Sequence, residues 1–182
     1  MAYAPTFENF GNMQLFTAVF KAEGIGDGIN DMLDDTIFFI SWAQSKTDPI
    51  SGMKMLGSQD SKTGSSTWIG VNIPCLLTDD GRIGFEWNKG SKYCRSVTYG
   101  EDTMIGSKIA DRGIATEIYY TKPINNALNF SLRWTKISYD YTGSNSFFGE
   151  DGTPRTIADA KAMGQNPVEE ASDIRIAVSY RF

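Results

Sequence analysis

The chain has 182 residues and a formal net charge of -5, with 17 lysines and arginines against 22 aspartates and glutamates, and no histidine. This composition argues against a nucleic-acid partner, histidine-based acid–base catalysis, Ser–His triads and the usual zinc sites. The two cysteines, Cys75 and Cys94, are too few for a disulfide framework.

The hydropathy of the chain resembles that of a soluble protein. The mean hydropathy is -0.30, and no run of eighteen apolar residues predicts a transmembrane helix. Strands that face lipid on one side would escape this test, because only every second residue is apolar. Aromatic residues make up 13% of the chain, which fits either the aromatic girdles of a barrel or the core of a β-sandwich.

The first three predicted strands are rich in aromatic and β-branched residues. They cover residues 12–23, 35–45 and 67–73. In the first strand, Phe16 and Phe20 share a face that we assign to the apolar side. A turn-rich stretch at 24–31 and a polar loop at 46–65 connect these strands, and Pro74 ends the third because it offers no N–H to a ladder.

The last four predicted strands cover residues 82–88, 112–121, 128–141 and 173–182. In the sixth strand the apolar residues change parity after Trp134, which predicts a β-bulge near Thr135 and Lys136. The final strand alternates without a break and ends on Phe182. A short helix is predicted at residues 156–163.

The connections alternate between short turns and long polar loops, which is the layout of outer-membrane barrels. We therefore predict an all-β fold, an antiparallel up-and-down meander that forms part of a transmembrane β-barrel. Bacterial barrels of one chain have an even strand number, and the start of this chain does not resemble a signal peptide. We expect residues 1–182 to be the C-terminal portion of one longer barrel domain, open or incompletely closed; the alternative is a missed strand in residues 1–11 or 91–100.

Several segments resemble an uncharacterised family of porin-like outer-membrane proteins from Gram-negative bacteria. These segments are residues 80–88, 90–93, 99–103, 107–108, 112–113 and 139–145. Cys94 stands where the family pattern favours an aromatic residue. The resemblance implies the outer membrane as the location, the lipid bilayer as a partner, and no established catalytic residues or cofactors. The last strand also resembles the signal read by the outer-membrane barrel assembly machinery, with Tyr180 and Phe182 at its aromatic positions.

Two sets of residues are assigned roles by the barrel hypothesis. The predicted pore-lining residues are Arg82, Glu86, Asn88, Glu117, Tyr119, Asn129, Arg133, Asp173, Arg175 and Arg181. They could filter solutes by charge and size, or neutralise one another across strands and stabilise the wall. The predicted aromatic girdle consists of Trp42, Trp87, Trp134, Tyr139 and Tyr141.

The function that follows is passive diffusion of small hydrophilic solutes, without enzymatic chemistry. The alternatives are a non-conducting structural or adhesive barrel, a soluble β-sandwich binding module, and a barrel enzyme, which the absence of histidine disfavours. The loop at 142–172 is the candidate for a pore constriction or a surface contact. Acidic pairs at 79–80 and 150–151 are interpreted as solvated turns, so no metal is expected, and Cys75 and Cys94 are predicted to lie too far apart for a disulfide.

Overall fold

A computed structural model describes residues 8–24, 26, 28–96, 105–143 and 153–181. Its strands and helices, in chain order, are β1 (Gly11–Glu23), α1 (Asp31–Asp34), β2 (Ile37–Pro49), β3 (Thr63–Pro74), β4 (Arg82–Gly90), β5 (Gly113–Pro123), β6 (Leu128–Tyr139), α2 (Ile157–Ala162) and β7 (Glu170–Tyr180). The strands form one antiparallel sheet in the order of the sequence, and within the described part of the chain β1 and β7 are its two open edges. The predicted all-β up-and-down meander is confirmed.

The two helices are short and lie in connections between strands. α2 confirms the helix predicted at 156–163, and it begins where Thr156 Oγ1 accepts a hydrogen bond from Asp159 N (3.0 Å). α1 begins at Asp31, the last residue of the turn-rich stretch 24–31, and its cap is Asn30, whose Oδ1 accepts from Met32 N (2.7 Å). Within the described ranges, neither helix has the length and apolar character needed to cross a membrane.

The strands β2 and β3 are longer than the alternation of apolar residues predicted. β2 continues to Pro49 and β3 begins at Thr63, with Lys46 paired to Thr63 and Ser45 to Gly64. On its other side, β2 continues in register to the pair Gly11 and Pro49. These strand ends are polar, so backbone pairing extends past the apolar stretch that marked the strands in the sequence.

The β-bulge predicted near Thr135 and Lys136 is wrong. The register of β6 with β7 runs without interruption through the pairs Trp134–Ile174, Thr135–Asp173 and Lys136–Ser172. The change of parity has another cause. Ile137 is on the opposite face from Trp134 and is fully buried there, so apolar residues occupy different faces in the two halves of β6.

The two faces of the sheet differ in chemistry. Alternate residues of a strand point to opposite sides, and residues paired across antiparallel strands point to the same side. One side, which we call the apolar face, carries large exposed side chains on six of the seven strands, and its residues Ile69 and Val71 on β3 are half-buried. The exposed residues are Phe16, Phe20, Ile40, Trp42, Ile83, Phe85, Ile118, Leu132, Trp134, Ile174, Ile176, Val178 and Tyr180. The other side, the polar face, carries most of the charged residues of β4 to β7.

The buried core lies on the polar face, beneath the connection between β4 and β5. Buried residues of the sheet here include Thr47, Ser66, Glu86, Asn88, Ala115, Glu117, Thr135 and Ile137. Buried residues of the connection are Cys94, Ser107, Lys108, Ala110, Asp111 and Arg112. Most of these residues are polar, so this core depends on hydrogen bonds and ion pairs more than on apolar packing.

The cysteines lie at opposite ends of the sheet, as the layout predicted. Cys75 follows β3 at the end with short turns, Cys94 follows β4 at the other end, and both are free. Burial raises the pKa of the Cys94 thiol to about 11, whereas a hydrogen bond with the Thr78 side chain lowers the pKa of Cys75.

The thiols should therefore differ in reactivity, since the thiolate is the nucleophile. With single-thiol variants Cys94→Ser and Cys75→Ser, maleimide labelling of the folded protein at about pH 7.5 should modify Cys75 at least about tenfold faster than Cys94. Unfolding in denaturant should abolish the difference. Equal rates in the folded protein would contradict the position of residues 91–96 on the sheet.

Candidate functional site

The polar face places two glutamates directly opposite each other on neighbouring strands. Glu86 of β4 pairs with Glu117 of β5, and both side chains are buried. Like charges in opposite positions repel, and the repulsion is stronger where water is excluded. This pair therefore needs a cation between the two carboxylates.

Lys108, from the connection between β4 and β5, supplies that cation. Its Nζ lies 2.8 Å from Glu86 Oε2 and 2.6 Å from Glu117 Oε1. Burial alone would lower the pKa of Lys108, but the charge of Glu86 and the contacts with Glu117 raise it above its usual value. The ammonium charge therefore persists at neutral pH, and it ties residues 105–112 to the sheet.

Glu117 is the centre of a larger group of charges, the Glu117 cluster, which consists of Glu86, Lys108, Glu117, Arg133, Asp173 and Arg175. Its Oε1 accepts from Lys108 Nζ and from Arg133 Nη1 (2.6 Å each). Its Oε2 accepts from Thr135 Oγ1 (2.8 Å) and Arg175 Nη2 (3.4 Å). Four donors on one fully buried carboxylate offset the cost of removing it from water.

The two arginines of the cluster are also directly opposite each other. Arg133 of β6 pairs with Arg175 of β7, and Glu117 lies within reach of both. Arg175 Nε also lies 2.8 Å from Asp173 Oδ2, a contact of opposite charges without hydrogen-bond geometry. The guanidinium of Arg133 lies 4.5 Å from the ring centroid of Tyr119.

Further hydrogen bonds fix the same connection internally, to the next long connection, and to the sheet. Arg112 Nε donates to Cys94 O (3.1 Å) and its Nη1 to Thr142 O (3.0 Å), which joins two long connections. Burial, together with the charge of Arg95, lowers the pKa of Arg112 to about 10, so it still carries its charge at neutral pH. Ser45 Oγ of β2 donates to Tyr93 O (3.2 Å).

Most of the predicted pore-lining residues lie on the polar face. The structure brings six of them together around or beside the cluster: Glu86, Glu117, Tyr119, Arg133, Asp173 and Arg175. Arg82 instead binds Asn72 and the carbonyl of Asp35, while Asn129 and Arg181 are exposed near the end with short turns. Glu86, Asn88 and Glu117 lie on the polar face as well, but they are buried there beneath the connection between β4 and β5.

The predicted girdle residues divide between the two faces. Trp42, Trp87 and Trp134 lie on the apolar face. Tyr139 lies on the other face, in the row of Gly113, with its hydroxyl 3.5 Å from Ile105 O. Tyr141 pairs with Thr156 beyond the end of β6. The uninterrupted register of β6 therefore gives Tyr139 the face opposite to the one that a bulge would have given it, and the girdle role of Tyr141 stays a prediction.

The segment that lies on the polar face was not identified from the sequence. The loop at 142–172 was the candidate constriction, and its residues 144–152 lie outside the described ranges, as does Phe182 of the predicted assembly signal. Lys108 and Arg112, in the other long connection, make the contacts instead. The only feature of the sequence that could have indicated this segment was the pair of glutamates on neighbouring strands. That pair requires a cation nearby, but it does not identify Lys108 as the cation.

The chemistry of the site is electrostatic. Three carboxylates and three cations form the Glu117 cluster, so its formal charges cancel. Within the described residues, no group of three or more histidine, cysteine, aspartate or glutamate side chains could hold a metal ion. The arrangement can fix a segment on the sheet and present charged groups to a solute.

These features define a class: an up-and-down antiparallel sheet with one apolar face and one charged face that a long connection covers in part. The chain belongs to the family described as protein of unknown function (DUF3373), whose model matches residues 2–182. Membership of an uncharacterised family is thereby confirmed. Searches of curated proteins and of solved structures found no match for the chain.

Replacing Glu117 with glutamine should strongly destabilise the fold, because three cations lose their shared buried anion. We expect Glu117→Gln to lower the free energy of unfolding by about 3–5 kcal/mol, as for a broken buried ion pair. The matched control is Glu170→Gln, which removes the same charge from an exposed pair with Lys136 and should cost about 0–1 kcal/mol. Denaturant titration followed by tryptophan fluorescence measures both, and equal losses would refute the central role of Glu117.

Proposed function

We propose that this chain forms a wall of a porin-like barrel in the outer membrane, through which small hydrophilic solutes diffuse passively. The observation that carries the proposal is the apolar face, which extends over all seven strands and is exposed on six of them. Phe20 at one edge and Ile176 at the other are 62% and 70% exposed. Soluble monomers rarely expose contiguous apolar patches larger than a few hundred Å². Lipid is the surrounding that makes such a face favourable.

The direction of the apolar band across the strands supports a barrel. The register places one residue of each strand in the same row: Val19, Ser41, Trp68, Asn88, Ala115, Ile137 and Ala171. On β1 the apolar face runs from Phe16 to Ala22, which centres the band on position 19. On β7 it runs from Ile174 to Tyr180, which centres the band on position 177, six residues beyond Ala171. The band therefore shifts by one residue per strand.

This shift corresponds to a definite tilt of the strands. Each residue advances about 3.4 Å along a strand, and neighbouring strands lie about 4.8 Å apart. A shift of one residue from each strand to the next therefore inclines the band by about 35° from the perpendicular to the strands. Strands of membrane barrels tilt by about 35–45° from the axis. An apolar band that crosses the strands at this angle would be level in a membrane.

The edge of the band at the long connections has the residues expected at a lipid–water boundary. In β2, β4 and β6, a tryptophan is the last large apolar residue on the apolar face. The residue two positions later on the same face is polar in each case: Gln44 after Trp42, Lys89 after Trp87, and Lys136 after Trp134. Tryptophan prefers the interface, and lysine can reach from it into the head groups.

The polar face would then line the passage. Residues 91–96 and 105–112 lie across it, so they narrow the space available to a solute, and the charged groups around them add an electrostatic selection. This mechanism requires no covalent chemistry, cofactor or catalytic residue. Small hydrophilic solutes are the proposed partners, together with the lipid bilayer and the barrel assembly machinery.

A non-conducting structural barrel is the second candidate, favoured by a specific observation. Glu86 and Glu117 are buried beneath the connection, and their charges are balanced by Lys108 and the arginines. A polar face that is covered by the connection and has no net charge could stabilise the barrel wall without forming a passage for solutes. Conductance separates the two candidates.

The decisive experiment reconstitutes the full-length protein into planar lipid bilayers. A porin-like wall should give stepwise channels, and heat-modifiable gel migration would report that the protein used is folded. Folded, inserted protein that gives no channels would eliminate passive diffusion and favour the structural barrel.

The variant Lys108→Met links conductance to the covering connection. Without the ammonium group, Glu86 and Glu117 repel each other and residues 105–112 lose their attachment, so single-channel conductance should rise about twofold or more. Lys89→Met, in the same region but on the apolar face, is the control and should leave conductance unchanged. A conductance that neither variant changes would show that residues 105–112 do not narrow the passage.

Neighbouring residues of β7 test the lipid-facing assignment. Ile176→Arg places a charge on the apolar face and should destabilise the protein in phospholipid vesicles by about 2–4 kcal/mol. Ala177→Arg places the same charge on the polar face and should cost about 0–1 kcal/mol. Urea unfolding in vesicles measures both, and equal costs would contradict a lipid contact for the apolar face.

A further inference from the structure

The charges on the polar face are unequally accessible. The side chains of Glu86 and Glu117 are 10% and 0% exposed, because Lys108 and the sheet cover them. The side chains of Arg133 and Arg175 are each 32% exposed, and that of Asp173 is 23% exposed. The cluster is neutral as a whole, but its two most exposed side chains are cationic.

The first arginine of the pair is held in place from two sides. Glu117 Oε1 accepts from Arg133 Nη1 (2.6 Å), and the ring of Tyr119 lies against the guanidinium at 4.5 Å. Tyr119 is itself fixed, because its hydroxyl accepts from Asn72 Nδ2 (3.2 Å) and its ring occupies the space above Gly84. A side chain already ordered in this way loses little entropy when it binds a ligand.

The second arginine, Arg175, lies next to Arg133, and both have N–H donors that are not used in contacts with the described residues. Arg175 pairs with Arg133 in register, so the two side chains start about 5 Å apart. A guanidinium has five N–H donors, and here one nitrogen of each donates to Glu117. The remaining donors of Arg133 have no acceptor in the described part of the chain, and the Nη1 donors of Arg175 have none there either.

We infer that Arg133 and Arg175 form a binding site for small anions on the polar face, and this inference rests on the proposed passage of solutes along that face. The planar fork of a guanidinium matches the oxygens of a carboxylate or a phosphate, and two adjacent forks can share one such group. The site would favour anionic over cationic solutes. Glu117 acts as the positioning residue, since it prevents the two like charges from separating.

The first test is the ion selectivity of the channel. Under a potassium chloride gradient, the reversal potential should show a chloride preference, and Arg133→Gln/Arg175→Gln should reduce this preference about fivefold. The control is Lys136→Gln, which removes one positive charge from the same strand β6 but on the apolar face. Its reversal potential should equal that of the unmodified protein. A reversal potential that the double variant leaves unchanged would overturn the inference.

The second test does not depend on conduction. Phenylglyoxal modifies accessible guanidiniums, and peptide mass spectrometry of the detergent-solubilised full-length protein gives the rate at each arginine. Inorganic phosphate should slow modification of Arg133 and Arg175 at least about threefold, while Arg181, exposed beyond β7, should be unaffected. Acetate in place of phosphate reports whether carboxylates are bound as well.

The outcomes separate this inference from the proposed function. If no channels form but phosphate protects the pair, the porin proposal fails and the anion site stands. If channels form, and phosphate protects neither arginine or protects Arg181 equally, the anion site is refuted and passive diffusion stands. Heat-modifiable gel migration shows whether the double variant is folded. If it is not folded, its reversal potential carries no information, and phosphate protection of Arg133 and Arg175 in the unmodified protein decides whether the anion site exists.

Discussion

The polar side of this sheet depends on one buried carboxylate. Glu117 has no contact with solvent, lies opposite a second glutamate and accepts hydrogen bonds from four side chains. An uncompensated buried ion costs several kcal/mol, so the sheet is stable only if cations reach this position. Lys108 reaches it from the connection, and Arg133 and Arg175 reach it from the neighbouring strands. The path of residues 105–112 follows from that requirement.

The two faces of the strands satisfy different constraints. On the apolar face, successive side chains present hydrocarbon and aromatic surface, and their favourable surroundings must come from outside the described chain. On the polar face, every strand from β3 to β7 contributes a group to a connected set of contacts, from Trp68 Nε1 on Glu86 (2.9 Å) to Arg175 beside Asp173. The proposed membrane barrel would reconcile the two faces, with lipid outside and water inside.

The pairing of charges would also determine how the proposed passage selects solutes by charge and by size. Lys108 of the covering connection balances the buried glutamates, and the two arginines contact Glu117 on one side only. The two most exposed side chains of the cluster are therefore cationic, although its total charge is zero. In the proposed passage, steric selection would come from the connection that covers the glutamates. Glu117 would contribute to both kinds of selection, because it contacts Lys108 of the connection and both arginines.

Alternation of apolar and polar residues determined the number of strands, their order and, for Trp42, Trp87 and Trp134, the face they occupy, because a period of two is a local property of the chain. It misplaced the polar ends of β2 and β3 and the face of Tyr139, where backbone pairing and burial by a distant segment override the local pattern. Only the tertiary structure decided that Lys108 separates Glu86 from Glu117. That contact depends on the path of a long connection, which has no periodicity, and on the exclusion of water, which arises only once the segment lies on the sheet.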